Sequence, residues 1–146
     1  MKFMTDSKEL FLIDSNIFIY AYEREESIKK NNAKKLLKEC LLGMRQFALS
    51  NQNLSEFVSV TTRKGKLNID EAKNFVLKAA QFEGFKKINY NAETIASALD
   101  IVQQFKMSFW DSLLAATMKE NGIFNLYTEN TSDFKIPWLN VVNPFT

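Results

Sequence analysis

The 146-residue chain contains no histidine. That excludes Ser-His-Asp and Cys-His nucleophilic sites, histidine proton shuttles and every histidine metal ligand. Cys40 is the only cysteine, so no internal disulfide can form and no zinc site can hold more than one thiolate. Its place in the apolar run "LLKECLLGM" reads as a buried structural thiol. No run of about 18 apolar residues is present, so no membrane span is expected. The opening "MKFMTDSKEL" lacks a secretory apolar segment, and a cytoplasmic location is expected. Charge of one sign is also scarce: 19 basic against 17 acidic residues leaves +2. Charge alone therefore does not mark a nucleic-acid binder, nor exclude one. Any enzyme chemistry must come from carboxylates, Lys, Arg, Ser, Thr, Tyr or a bound metal.

What is present is an ordinary globular composition, 46% hydrophobic and 25% charged, with thirteen Phe and two Trp. The length fits one domain, residues 1–146, with a proper core. Short apolar runs alternate with longer helical periodicities. "LFLI" (10–13), "QFALS" (46–50), "FKKINY" (85–90), "FNLYT" (124–128) and "LNVVN" (139–143) read as strands, the third as an edge because of its two lysines. Helices are expected over 16–24, from a Ser27 cap to Gly43, over 53–65, from an Asn68 cap to Gly84, from Asn91 through Phe105, and over 110–122. Strands separated by helices imply a three-layer α/β/α sandwich around a mostly parallel sheet of four or five strands. In such sheets the site lies at the C-terminal ends of the strands.

Acids stand at those seams. Asp14 follows the first strand in "LIDSNIFIYAY", Glu56 opens the helix after the second, Asp111 opens a later helix, and Glu129 and Asp133 follow "FNLYT". Each has a plain structural alternative. Asp14 or Asn16 suits an N-cap. Asn53 to Glu56 and Ser108 to Asp111 have capping-box spacing, and Asp133 suits an Asx turn. Capping does not require acids at the ends of separate strands, so the joint pattern favours one cluster. Clustered carboxylates raise each other's pKa, and a bound cation relieves the repulsion. Oxygen ligands without His or Cys select hard cations, Mg²⁺ or Mn²⁺. Such an ion suits phosphodiester hydrolysis.

"FLIDSNIFIYAYE" resembles the opening motif of PIN-domain ribonucleases, a strand ending in Asp-x-Asn. "LSNQNLSEFVSVTTRK", "FWDSLLAATMKENG" and "LYTENTSDF" resemble the second, third and fourth motifs in order, and "VVNPF" resembles their usual ending. The pattern is most similar to VapC-type toxins of toxin–antitoxin pairs. The resemblance implies a metal-dependent endoribonuclease, usually a homodimer, held inactive by a small antitoxin, with RNA as substrate. It implies Asp14 and Asp111 as main metal ligands, with Glu56 completing the cluster directly or through water. For the fourth acid it points to Asp133, with Glu129 as the alternative. Asn16 would orient Asp14 or a phosphate, and Ser112 and Thr128 would hydrogen-bond behind the ligands. Arg63, Lys64 and Lys66 are candidates for the RNA backbone, against the plain alternative of a solvated helix end. Lys29, Lys30, Lys34 and Lys35 read as a solvated face. Phe18, Tyr20, Tyr22 and Phe57 would line a groove for the antitoxin tail, or simply fill the core.

Two rivals remain open. A haloacid-dehalogenase-type phosphatase also opens with an Asp after a strand, but it carries Asp where this chain has Asn16. A non-catalytic RNA-binding PIN-like domain would keep the fold without a working site.

Overall fold

The computed structural model describes residues 10–146. The opening stretch read above for a secretory segment lies almost wholly outside the described residues. The elements follow in the order β1 (Phe11–Ile13), α1 (Ser15–Ala21), α2 (Ile28–Leu41), β2 (Phe47–Ser50), α3 (Asn51–Arg63), α4 (Ile69–Gln81), β3 (Phe85–Ile88), α5 (Ala92–Phe105), α6 (Phe109–Glu120), β4 (Asn125–Tyr127) and β5 (Asn140–Val142). A short 3-10 turn, Thr131–Asp133, precedes β5.

All strand pairs are parallel, in the order β3-β2-β1-β4-β5. The lysine-bearing β3 is an edge strand, as its composition leads one to expect. Strand order reverses at β1, whose neighbours β2 and β4 depart in opposite directions. That crevice, between the ends of β1 and β4, is where open parallel sheets place ligands.

Side-chain alternation along the strands builds two cores. Leu12, Ala48, Ile88 and Leu126 face one way and pack with Ala98, Ile101 and the apolar side of α6. Ile13, Phe47 and Leu49 face the other way, towards Ile17, Phe18, Ala33, Leu36, Phe57 and Ala79 of α1 to α4. Two helix layers on one sheet make the expected α/β/α sandwich. Cys40 is fully buried in the second core, where burial pushes its thiol up to about 11.

Local sequence explains the helix ends. Ser27, Asn68, Asn91 and Ser108 each accept a backbone N–H of the first turn. One expected cap is displaced. Asn53 does not cap α3: Ser50 does, accepting from the Asn53 amide, so the helix starts two residues earlier than its apolar periodicity implies. The displacement matters, because it frees the Asn53 side chain for the site.

Candidate metal-dependent active site

Asp14 ends β1 and caps α1. Its own amide continues the ladder to the Tyr127 carbonyl at 3.0 Å. Sheet pairing and helix start thus fix its backbone from both sides. The side chain is 8% exposed and is held by three firm donors. Oδ1 accepts the Ser15 backbone N–H at 2.8 Å and Asn53 Nδ2 at 3.2 Å. Oδ2 accepts the Thr128 hydroxyl at 2.7 Å, across the β1–β4 crevice. Thr128 is saturated by this: it donates once to Asp14 and accepts from Asn16 Nδ2 and the Asn130 amide, both at 3.1 Å.

Ser15 carries the chain of contacts outwards. Its hydroxyl has one proton and two carboxylate neighbours, Glu56 Oε2 at 2.9 Å and Asp14 Oδ1 at 3.5 Å, so the proton goes to Glu56. Gln52 Nε2 then joins Glu56 Oε1, at 3.3 Å, to the Trp110 carbonyl in the first turn of α6, at 2.9 Å. The next residue is Asp111, whose amide bonds the Ser108 hydroxyl at 3.2 Å. Glu56 and Asp111 line one cleft of about 570 Å³ with Trp110 and Tyr90.

The electrostatics follow from burial. Desolvation, above all, raises the Asp14 carboxyl from 3.8 to about 6; Thr128 and the Ser15 amide oppose the rise, while Glu56 and Asp111 add to it. Desolvation also raises Asp111, with Ser108 opposing and Asp133 adding. Asp14 therefore feels Glu56 and Asp111, and Asp111 feels Asp133. No lysine or arginine forms an ion pair with any of these four among the described residues.

Glu129 is in a different situation. Lys29 Nζ lies 2.7 Å from Oε2 and the Tyr20 hydroxyl donates to Oε1 at 2.8 Å. Burial alone would raise its pKa, but Lys29 and Tyr20 outweigh it and hold the carboxyl below the usual range. Of the two acids offered as the fourth, Asp133 is the one electrostatically joined to Asp111, and Glu129 is already compensated. Lys29 is accordingly not part of a merely solvated face, and Lys30, 7% exposed and paired with Glu26, is not either.

The remaining candidates are scattered. Asn16 touches Thr128 through Nδ2 and receives the Glu129 amide on Oδ1 at 3.4 Å, so both ends of its amide are occupied by protein. Ser112 is fully buried and its hydroxyl has no partner among the described residues. It does not reach the acids. Arg63 and Lys64 are exposed at the far end of α3, about 10 Å along the axis from Glu56. Lys66 is paired with Glu23. Ser15, Gln52 and Asn53 were not among the expected site residues. The signal for Asn53 and Gln52 was their spacing, three and four residues before Glu56, which puts all three on one helical face.

The oxygen-only donor set and the uncompensated charge fit a hard cation. Among the described residues no three acidic or thiol side chains converge into a ready-made cage. The expected single cluster of four carboxylates is thus not drawn together into a cage; Mg²⁺ is commonly held by one or two carboxylates and keeps several waters.

A model of the PIN domain matches residues 11–136. The chain belongs to the PIN-domain family. No curated protein matches its sequence significantly. Among solved structures, this PIN domain is similar to a toxin–antitoxin complex from Klebsiella pneumoniae, at 24% identity and a TM-score of 0.65, over 92% of this chain and 97% of the other. It is also similar to VapC20 of Mycobacterium tuberculosis, described as a toxin that cleaves the sarcin–ricin loop, at 17% identity and a TM-score of 0.64, over 88% and 92%. A DNA-bound VapBC from Salmonella typhimurium matches at 13% identity and a TM-score of 0.61, over 92% and 98%. At these identities the likeness establishes the fold. Among the described residues of the PIN domain, no helix is long and apolar enough to cross a membrane.

Proposed function

We propose that this PIN domain is a Mg²⁺- or Mn²⁺-dependent endoribonuclease and the toxin of a toxin–antitoxin pair. The observation that carries the reading is Asp14: a desolvated carboxylate, fixed by three donors, with Glu56 and Asp111 as negative neighbours and no lysine or arginine paired with it among the described residues. Burying such a charge unpaired is costly unless a ligand compensates it. Asp14 and Asp111 would hold the ion directly, with Glu56 and Asp133 bonding its waters. When bound, it would supply an acidified water and charge stabilisation on a phosphate. The protein's own part is positioning. Thr128, Asn53 and the Ser15 amide aim Asp14, Asn16 fixes Thr128, and Gln52 locks Glu56 to the start of α6. Glu56, exposed and held at both oxygens, would accept a proton from the attacking water.

The test is RNA cleavage with Mg²⁺, Mn²⁺ or EDTA, by the parent and by Asp14→Asn and Asp111→Asn. Cleavage that survives EDTA and both substitutions sinks the reading. Calorimetry separates the non-catalytic rival, which should show no Mg²⁺ site lost on Asp111→Asn. The phosphatase rival needs a general acid at Asn16, and that amide is engaged at both ends.

The antitoxin has a candidate seat away from the acids. A cleft of about 460 Å³ between α1, α2 and α4 is lined by Phe18, Tyr22, Leu37, Leu41, Phe75 and Phe82. Apolar grooves of this kind take amphipathic helices. One of the similar solved structures is a toxin–antitoxin complex and another is a DNA-bound VapBC. Leu41→Glu should abolish co-purification of a small acidic-tailed protein that the parent retains from its native host. For the expected homodimer, Ile95 and Leu99 leave an exposed apolar stripe on α5, and light scattering of Leu99→Glu tests it.

A further inference from the structure

The cleft beside Glu56 and Asp111 holds a feature that metal chemistry leaves unused. Trp110, immediately before Asp111, is 60% exposed. Phe109 meets its ring edge-on, with centroids 5.2 Å apart and planes at 71°, which steadies the indole without covering it. Tyr90, just beyond the end of β3, lines the same cleft and is half-buried. Asn51, Ser55, Ser59 and Asn89 also line the cleft and add amides and hydroxyls to a lining that is otherwise largely apolar. Gln52 also lines it. Both partners of its Nε2 are acceptors, so the amide orientation is fixed, and its Oε1 is left without a partner among the described residues. A nucleobase, with a π-face and hydrogen-bonding edges, matches both kinds of wall.

We propose that Trp110 is a stacking platform for an unpaired base of the RNA strand whose phosphate lies at Asp111, and that the cleft's amides meet the edges of that base. This rests on the nuclease reading. Bases within a duplex are already stacked on each other, so the platform selects single-stranded or loop RNA. Stacking tolerates any base, since each has a π-face, and the exposed amides of Asn51 and Asn89 then discriminate among edges.

The chain has two tryptophans, and Trp138 packs against Phe124 elsewhere. Trp138→Phe therefore leaves Trp110 as the sole indole reporter. The probes are a short single-stranded oligoadenylate and an abasic phosphodiester strand of equal length, with Ca²⁺ replacing Mg²⁺. The oligoadenylate should quench Trp110 fluorescence and bind about 5- to 150-fold more tightly than the abasic strand. Trp110→Leu should erase that preference, and Trp110→Phe should keep most of it. Equal affinity of the parent for both strands overturns the proposal, as does a preference that survives Trp110→Leu. A Trp110→Leu protein with an altered oligomeric state assigns the indole to a subunit interface and overturns it too. If RNA is cleaved while either of the first two results is found, stacking fails and the nuclease reading stands. If neither strand binds and no RNA is cleaved, both fall.

Discussion

Asp14 and Glu129 stand just past two adjacent parallel strands, β1 and β4, yet their surroundings are opposite. Asp14 is deeply buried among neutral donors and two other acids, and its carboxyl rises to about 6. Glu129 is met by Lys29 and Tyr20, and its carboxyl is held low. The protein has neutralised one acid with its own lysine and left the other bare. A buried carboxylate kept bare costs stability, and folds retain such groups where function uses the charge. Under the proposed reading Asp14 is the acid that serves an external cation, whereas Glu129 ties the start of α2 to the end of β4.

The largest test of that contrast is catalytic. Asp14→Asn should lower RNA cleavage by more than about 100-fold, because it removes a direct ligand where loss of a mere supporting contact already costs 10- to 100-fold. Glu129→Gln should leave cleavage near the parental rate. Comparable losses in both variants, measured side by side, would break the distinction.

The second test is stability in EDTA. Asp14 binds its proton more tightly in the folded than in the unfolded chain, so folding takes up a proton between pH 3.8 and about 6. Stability then falls as pH rises through that window and stays low above it. A rise from 3.8 to about 6 corresponds to at most about 3 kcal/mol. The stability of Asp14→Asn relative to the parent should therefore be higher at pH 7.5 than near pH 4, by up to about 3 kcal/mol, since the mismatch of its amide NH2 with the Thr128 hydroxyl is the same at both. Urea denaturation at the two pH values measures it. A relative stability that is the same at both pH values would show that the carboxylate is compensated after all. Added Mg²⁺ should stabilise the parent and not the variant.

A smaller effect is expected one step back from the acid. Thr128→Val keeps the shape and deletes the donor to Asp14 Oδ2, and should weaken Mg²⁺ binding by about 10- to 100-fold, read by calorimetry. The smallest effect belongs to the other acid's partner. Lys29 is half exposed, so Lys29→Met should shift the melting midpoint only slightly, and less still at high salt. A large shift would mean that the tie to Glu129 is a structural pillar.

Much of this was legible along the chain. Caps, glycines and periodicity placed all five strands and six helices within a few residues, because those signals are local. The seam carrying Asp14 was readable from "LID" alone, since a greasy run leading straight into a carboxylate marks a strand end. Asn53 was misread for the same reason that the rest succeeded. Its spacing to Glu56 satisfies a local capping rule, and nothing local shows that Ser50 has already taken the cap. For the fourth acid the family resemblance pointed to Asp133; what the sequence could not show is that Glu129 is met by Lys29, one hundred positions away, whose own neighbours gave it the look of a solvated charge.

The sequence by itself determined the chemistry on offer: oxygen ligands only, no histidine, and acids at strand ends that a parallel sheet must bring towards one edge. Only the tertiary structure decided which of those acids stay uncompensated. Charge balance depends on what lies within a few ångströms, and Thr128, Asn53, Lys29 and Tyr20 reach Asp14 and Glu129 from other elements of the fold.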